Sequence, residues 1–148
     1  MSRERMAQAA PRGSAVEHRL RGLKVALLLA LCALPAIGMG HAILAGASPL
    51  WLILYPLASL IAFGLYWHDK RRARTQGWRI PEKYLHLSEL LGGWPGALIA
   101  QQVCRHKTRK VSFQMVFWAI VLLHQVVWCD RVVFAGQGLA RLVGLPLG

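Results

Sequence analysis

Acidic residues are scarce in this chain: six Asp and Glu stand against eighteen Lys and Arg, giving a formal net charge of +12. Cysteine is scarce too. Cys32, Cys104 and Cys129 lie far apart and make no CxxC pair, so neither a disulfide framework nor a zinc knuckle is read from them. Other absences narrow the chemistry. The chain has no P-loop, no nucleophile elbow, no Ser-His-Asp order and no HExxH. No aromatic β-platform, zinc finger or helix-turn-helix pattern accompanies the basic stretches, which argues against sequence-specific nucleic-acid reading.

What the chain does contain is apolar residues, 55% of its 148 positions, and a banded distribution of charge. Three clusters hold nearly all of the Lys and Arg: the N-terminal stretch from Arg3 to Lys24, then Trp67 to Lys83, then Arg105 to Lys110. Long apolar runs separate them. A soluble fold spreads its charge over one continuous surface. Bands alternating with apolar runs are the mark of a chain threaded through a bilayer, with its basic loops on the cytoplasmic side. The length leaves room for one domain.

Residues 1–20 are polar and aperiodic, and read as a disordered basic cytoplasmic tail. A membrane helical domain follows over 21–130, with apolar segments at about 25–47, 50–67, 84–103 and 112–129, each near the ~20 residues a spanning helix requires. A cleaved signal peptide is the rival reading of the first run; its long polar leader and its length argue against that. Ser48-Pro49 turns the chain into the second segment, so the first two spans read as a hairpin. Trp51, Tyr55, Tyr66 and Trp67 read as aromatic belts at the ends of the second span. Residues 131–148 form a C-terminal tail suited to the membrane surface.

The third segment is the ambiguous one. Ile80-Pro81-Glu82 reads as a helix start, with Pro in the first turn and an acid complementing the dipole. Gly92, Gly96 and Ala100 recur every four residues, a stripe that permits close helix packing within the chain or across a homo-oligomer. Gly92-Gly93 and Pro95 interrupt the helix. If this segment crosses fully, the Arg105–Lys110 cluster falls outside, against the positive-inside rule. If it re-enters, all three clusters are cytoplasmic. The resulting expectation is an all-α integral membrane protein of three to four transmembrane helices, with the third membrane segment re-entrant in the favoured reading.

Three chemistries suit the polar residues. Lys70, Arg79, Arg105, Lys107 and Lys110 are candidates for holding an anion, first of all an anionic lipid headgroup, with Asp69 and Glu82 orienting them. Glu82, His86 and Glu89 share a helical face and suggest a metal-dependent enzyme or ion carrier, with Asp69 or His106 completing the shell. Basic loops with Trp78 among them permit non-specific nucleic-acid contact. No cofactor is named by the sequence, and whether the protein is an enzyme stays open.

In order along the chain stand Asp69-Lys70 with Ala73, then Arg79-Ile80-Pro81-Glu82 and Leu85-His86. Gly92-Gly93, Gly96-Ala97 and Arg105-His106-Lys107-Thr108 follow, with Lys110 and Phe113. This series, over about residues 50–123, resembles the small bacterial membrane family called domain of unknown function 1294. The resemblance implies a multi-pass protein of the bacterial cytoplasmic (inner) membrane, with a cytoplasmic N-terminus and no established activity. Some members carry a cold-shock nucleic-acid-binding domain ahead of the membrane part; residues 1–20 are too short and polar to form one. The resemblance does not extend to Glu89.

Overall fold

A computed structural model describes residues 12–105 and 107–144, the side chains of 12–18 and of Trp51 excepted. Among the described residues every regular element is helical. They are α1 (Arg12–Leu44), α2 (Leu50–Arg74), α3 (Glu82–Ser88), a π-helical turn (Glu89–Gly93), α4 (Trp94–Cys104), α5 (Val111–Val133) and α6 (Gln137–Leu142). Two stretches, Arg19–Leu44 and Val111–Val133, are long and apolar enough to cross a membrane.

Residues 12–20, read as part of a disordered tail, are helical, because α1 already begins at Arg12; residues 1–11 lie outside the described residues. Once the apolar run is helical, each further residue adds a hydrogen bond without a new nucleation cost. Ala15, Glu17 and Leu20 are good helix formers that extend it backwards. At the other end, α2 continues through His68, Asp69 and Lys70 to Arg74, past the apolar run. Its last turn holds Arg71, Arg72 and Arg74, where cations complement the helix dipole.

The first two long helices do not make a closely packed hairpin. The main partner of α1 is α5, while α2 packs chiefly on α4 and the π turn. On α1, Gly38 explains the first choice. A Cβ there would lie 2.3 Å from the Trp128 ring of α5, so its absence lets the ring lie against the backbone. Gln125 Nε2 of α5 also donates to the Leu31 carbonyl at 2.8 Å.

The third apolar segment is broken in two. Gly92 has φ +105°, a region that costs glycine little and other residues much. Pro95 then sits in the first turn of α4, where its missing N–H is harmless. The break reverses the chain. Ile80, before α3, donates its N–H to Asp69 of α2. Gly92 lies against Tyr55, Gly96 against Ser59, and Gln101 against Tyr66. The Cys104 carbonyl then accepts from Lys70 Nζ. The chain therefore descends along α2 from Asp69 to Tyr55, about 21 Å at 1.5 Å per residue, and climbs back. Both ends of the α3–α4 hairpin lie at the same end of α2.

Close approach is what holds the hairpin. A Cβ on Gly93 would lie 2.5 Å from the Ala58 carbonyl oxygen, and one on Gly96 would lie 1.9 Å from that of Ser59. Ala97 and Ala100 are fully buried. The small-residue stripe is thus occupied by α2 of the same chain, and Gly92 leaves the stripe to form the reversal. The α2 face opposite reads Tyr55, Ala58, Ala62, Tyr66, Asp69, all buried and spaced by three or four residues. Tyr55 and Tyr66 face this interface. Tyr55 is buried against Trp128, whose Nε1 donates to its hydroxyl at 2.7 Å, and Tyr66 is fully buried. Neither belongs to an aromatic belt, whereas Trp67 is half-exposed.

Gly96→Ala should force α4 off α2 and lower stability by about 1–3 kcal/mol, the usual cost of overpacking. Gly40, with nothing within 4 Å of its Cβ position, is the control. Thermal unfolding in detergent should show a lower midpoint for the first variant, and an unchanged or higher one for Gly40→Ala.

Candidate functional site

The hairpin brings the second and third basic bands together. Arg105 ends α4 with φ 48°, and Lys107 follows with φ 58°. Left-handed backbone at non-glycine residues costs about 1–2 kcal/mol each, so this turn needs side-chain contacts to hold it. Lys107 supplies them. Its Nζ lies 3.3 Å from Asp69 Oδ2 and 3.4 Å from Glu82 Oε1, and 5.1 Å from the centre of the Phe113 ring. Asp69 is fully buried, and its other oxygen accepts the Ile80 N–H at 3.0 Å. Lys110 Nζ meets Glu82 Oε1 at 2.7 Å. Asp69 and Glu82 therefore clamp the 105–110 turn onto α2 and the start of α3.

Below this clamp lies a buried polar chain. Tyr66 donates its hydroxyl to Glu89 Oε1 at 2.5 Å, and His86 Nδ1 lies 2.7 Å from Glu89 Oε2. Gln101 Nε2 donates to the Tyr66 hydroxyl at 3.2 Å. Gln114 Nε2 of α5 donates both to Gln101 Oε1 at 2.8 Å and to the Lys107 carbonyl at 3.0 Å. An amide nitrogen carries two N–H donors, and both are used here. The chain ties α2, α3, α4 and α5 together and ends at the basic turn.

The third feature is a groove of about 1240 Å³ between the N-terminal part of α1, α4, the 105–110 turn and α5. Its cations are Arg21, Lys24, Arg105, Lys107, Arg109 and Lys110, and among the described residues no carboxylate lines it. Its apolar walls include Leu27, Leu28, Leu98, Ile99 and Trp118.

The candidate residues thus separate by role. Arg105, Lys107 and Lys110 reach the groove. Lys70 instead turns to the Cys104 carbonyl, and Arg79 is exposed on the α2–α3 connection. Glu82 and His86 diverge: Glu82 faces lysines, and His86 faces Glu89. Glu89 is fully buried beside Tyr66 and so leaves the proposed three-residue face. His106 lies outside the described residues. Among the described residues, no three His, Cys, Asp or Glu side chains gather as metal ligands do.

Tyr66, Gln101 and Gln114 escaped the sequence reading, as did Arg21, Lys24 and Arg109 in the groove. Tyr66 carried a signal, its place in the three- and four-residue spacing with Tyr55, Ala58, Ala62 and Asp69. Arg21, Lys24 and Arg109 carried only the coarse signal of banding, which in the re-entrant reading puts the first and third bands on one side without showing that they line one groove.

A family model for proteins of unknown function, DUF1294, matches residues 59–113. The uncharacterized protein YsdA of Bacillus subtilis (strain 168) is 38% identical over 64 residues, covering 43% of this chain and 68% of the relative. The chain belongs to the DUF1294 family. No solved structure matches. The family segment runs from within α2 to the start of α5, so it contains the hairpin, the Asp69–Lys107 clamp, the contacts of Glu89 with Tyr66 and His86, and the docking face from Ser59 to Asp69, while Tyr55, Ala58 and Gln114 lie just outside it. The α1 wall of the groove lies outside it.

The Lys110 hydrogen bond, aided by the charges of Lys107 and Lys110, holds the Glu82 carboxyl below the usual carboxylate range, against a smaller opposing effect of burial. The sign follows. A depressed folded-state pKa stabilises the fold above the unfolded value of about 4.3. That contribution disappears as pH falls from there through the folded value. Acid titration of thermal stability should show this step in the parent protein, and the step should shrink in Glu82→Gln. An identical profile for the two would show that the clamp makes no such contribution.

Proposed function

We propose that this protein is a multi-pass membrane protein of the bacterial cytoplasmic (inner) membrane, with a non-enzymatic or accessory role. In this reading α1, α2 and α5 cross the bilayer, the α3–α4 hairpin re-enters, and the N-terminus is cytoplasmic. Its basic cytoplasmic face binds anionic lipid headgroups.

The observation that carries the reading is that both ends of the hairpin meet the same end of α2, at Asp69 and Lys70. Arg21 and Lys24 line one groove with Arg105 and Arg109. A common pole for the three bands agrees with the positive-inside rule and supports the re-entrant reading. The outward faces support embedding. Leu29, Leu60, Ile61, Met115 and Leu122 are all more than half exposed, on three different helices. Exposed apolar surface of this extent calls for a cover, and lipid supplies it. The left-handed break at Gly92 is buried against Tyr55, as irregular backbone at membrane depth must be.

Charge supports lipid binding. Each Lys or Arg near an anionic leaflet contributes about 1 kcal/mol; Lys24 and Arg109 line the groove together with Arg21 and Arg105, while Lys107 and Lys110 are already offset by Asp69 and Glu82.

Single cysteines in a cysteine-free background test the topology. Arg79→Cys and Arg109→Cys should react with an impermeant maleimide from the same side of sealed vesicles, and Ala47→Cys from the other. Labelling of positions 79 and 109 from opposite sides would sink the re-entrant reading.

Lipid binding is tested on delipidated protein in detergent, titrated with phosphatidylglycerol or phosphatidylcholine. Phosphatidylglycerol should bind more tightly, and its advantage should fade as added salt shortens the Debye length from about 10 Å to about 3 Å. Equal affinity for the two lipids at low salt would overturn it.

A further inference from the structure

The groove between α1, α4 and α5 joins two chemistries in one cavity. At its mouth stand Arg21, Lys24, Arg105 and Arg109, beside the clamped Lys107 and Lys110. Deeper in, it runs between Leu27 and Leu28 of α1 and Leu98 and Ile99 of α4, with Trp118 of α5 beside them. Ile99 and Trp118 are each 41% exposed and Leu27 48%, so these side chains offer apolar surface that the protein itself does not cover.

We propose that this groove holds one anionic phospholipid per chain, with its phosphate at Lys24, Arg105 and Arg109 and an acyl chain along Leu27, Leu98, Ile99 and Trp118. The inference rests on the reading of a membrane protein with a lipid-binding basic pole, and narrows that pole to a single site. It also gives the N-terminal band a role beyond orientation, since Arg21 and Lys24 form one side of the mouth.

Three observations select this occupant. The first is sign: among the described residues every charged side chain lining the groove is a cation, and of these Lys107 and Lys110 are paired with Asp69 or Glu82 in the clamp. Guanidinium groups match phosphate oxygens in a bidentate fork, and a lysine adds a point charge. The second is the order of the walls. Cations at one end and apolar side chains below them repeat the order of headgroup and chain in a leaflet. A free phosphate would leave the apolar walls without a partner. A nucleic acid strand would need phosphate contacts spread along its length rather than a single mouth. The third is size. The volume of about 1240 Å³ exceeds the ~300–1000 Å³ of typical small-ligand pockets.

Native mass spectrometry of the detergent-solubilised full chain, equilibrated with equal amounts of phosphatidylglycerol and phosphatidylcholine, tests the proposal. One phosphatidylglycerol should stay bound per chain at energies that remove phosphatidylcholine. Lys24→Glu combined with Arg109→Glu should cut the retained fraction roughly ten-fold, equivalent to about 1.4 kcal/mol. Arg131→Glu combined with Arg141→Glu makes the same change in net charge away from the groove and should leave retention intact. Ile99→Trp, which fills the wall without altering charge, should also lower it. If the charge-reversed double variant fails to fold, judged by circular dichroism, Ile99→Trp and Leu27→Trp decide the outcome. Retention that survives both groove-filling variants overturns the proposal, as does equal loss in the Arg131/Arg141 control. Displacement of the lipid by equimolar glycerol phosphate would overturn the acyl-chain assignment. If a salt-sensitive preference for phosphatidylglycerol persists while retention ignores the groove variants, this site falls and the broader reading stands. If no variant or parent prefers phosphatidylglycerol, both fall.

Discussion

The seating of the α3–α4 hairpin on α2 is the contact on which the rest depends. Gly93 and Gly96 bring the hairpin backbone onto the backbone of α2, at positions where a single added carbon would overlap the Ala58 and Ser59 carbonyls. Small residues at a helix interface allow this close van der Waals packing of backbone on backbone. With the hairpin seated, its two ends meet α2 at Asp69 and Lys70. That meeting places Lys107 over Asp69, shapes the 105–110 turn, and so sets one wall of the basic groove.

Seating also decides how the buried polar groups are satisfied. Glu89 and Asp69 are both fully buried. A carboxylate removed from water is costly unless it is paired and hydrogen-bonded. Glu89 is met by Tyr66 and His86, Asp69 by Lys107 and the Ile80 amide. Tyr66 and Asp69 belong to α2 while Glu89 and Lys107 do not, so these contacts form only when the hairpin is docked, whereas His86 and Glu89 are three residues apart within it. Removing Lys107 would leave the Asp69 carboxylate buried and undercompensated. The family segment, residues 59–113, covers the hairpin, the clamp and the docking face from Ser59 to Asp69.

Much of the fold could be read from the chain in advance. The apolar runs, the start at Ile80-Pro81-Glu82 and the interruption at Gly92-Gly93 are local features. Each acts through a rule that holds wherever the residue sits: length for a helix, a fixed φ for proline, freedom at positive φ for glycine. Side-chain partnership was less accessible. Tyr55 and Tyr66 looked like interfacial aromatics because they lie near the ends of an apolar run, yet both turn inward. Glu82, His86 and Glu89 looked like one face, but Glu82 is drawn to Lys110 and His86 to Glu89. Periodicity assigns residues to a face; it does not say which neighbour that face meets.

Composition and the banding of charge determined by themselves that the chain is helical, apolar over long stretches and basic at its connections. The residue order around Asp69, Glu82, Gly92 and Lys107 pointed to the family. Only the tertiary structure decided that the third segment doubles back along α2, and that Arg21 and Lys24 line one groove with Arg105 and Arg109. The reason is physical. Helix formation and chain reversal are governed by residues a few positions apart. The meeting of α1 with α4 and α5 depends on packing between segments some eighty residues apart, and no local pattern encodes which surfaces will touch.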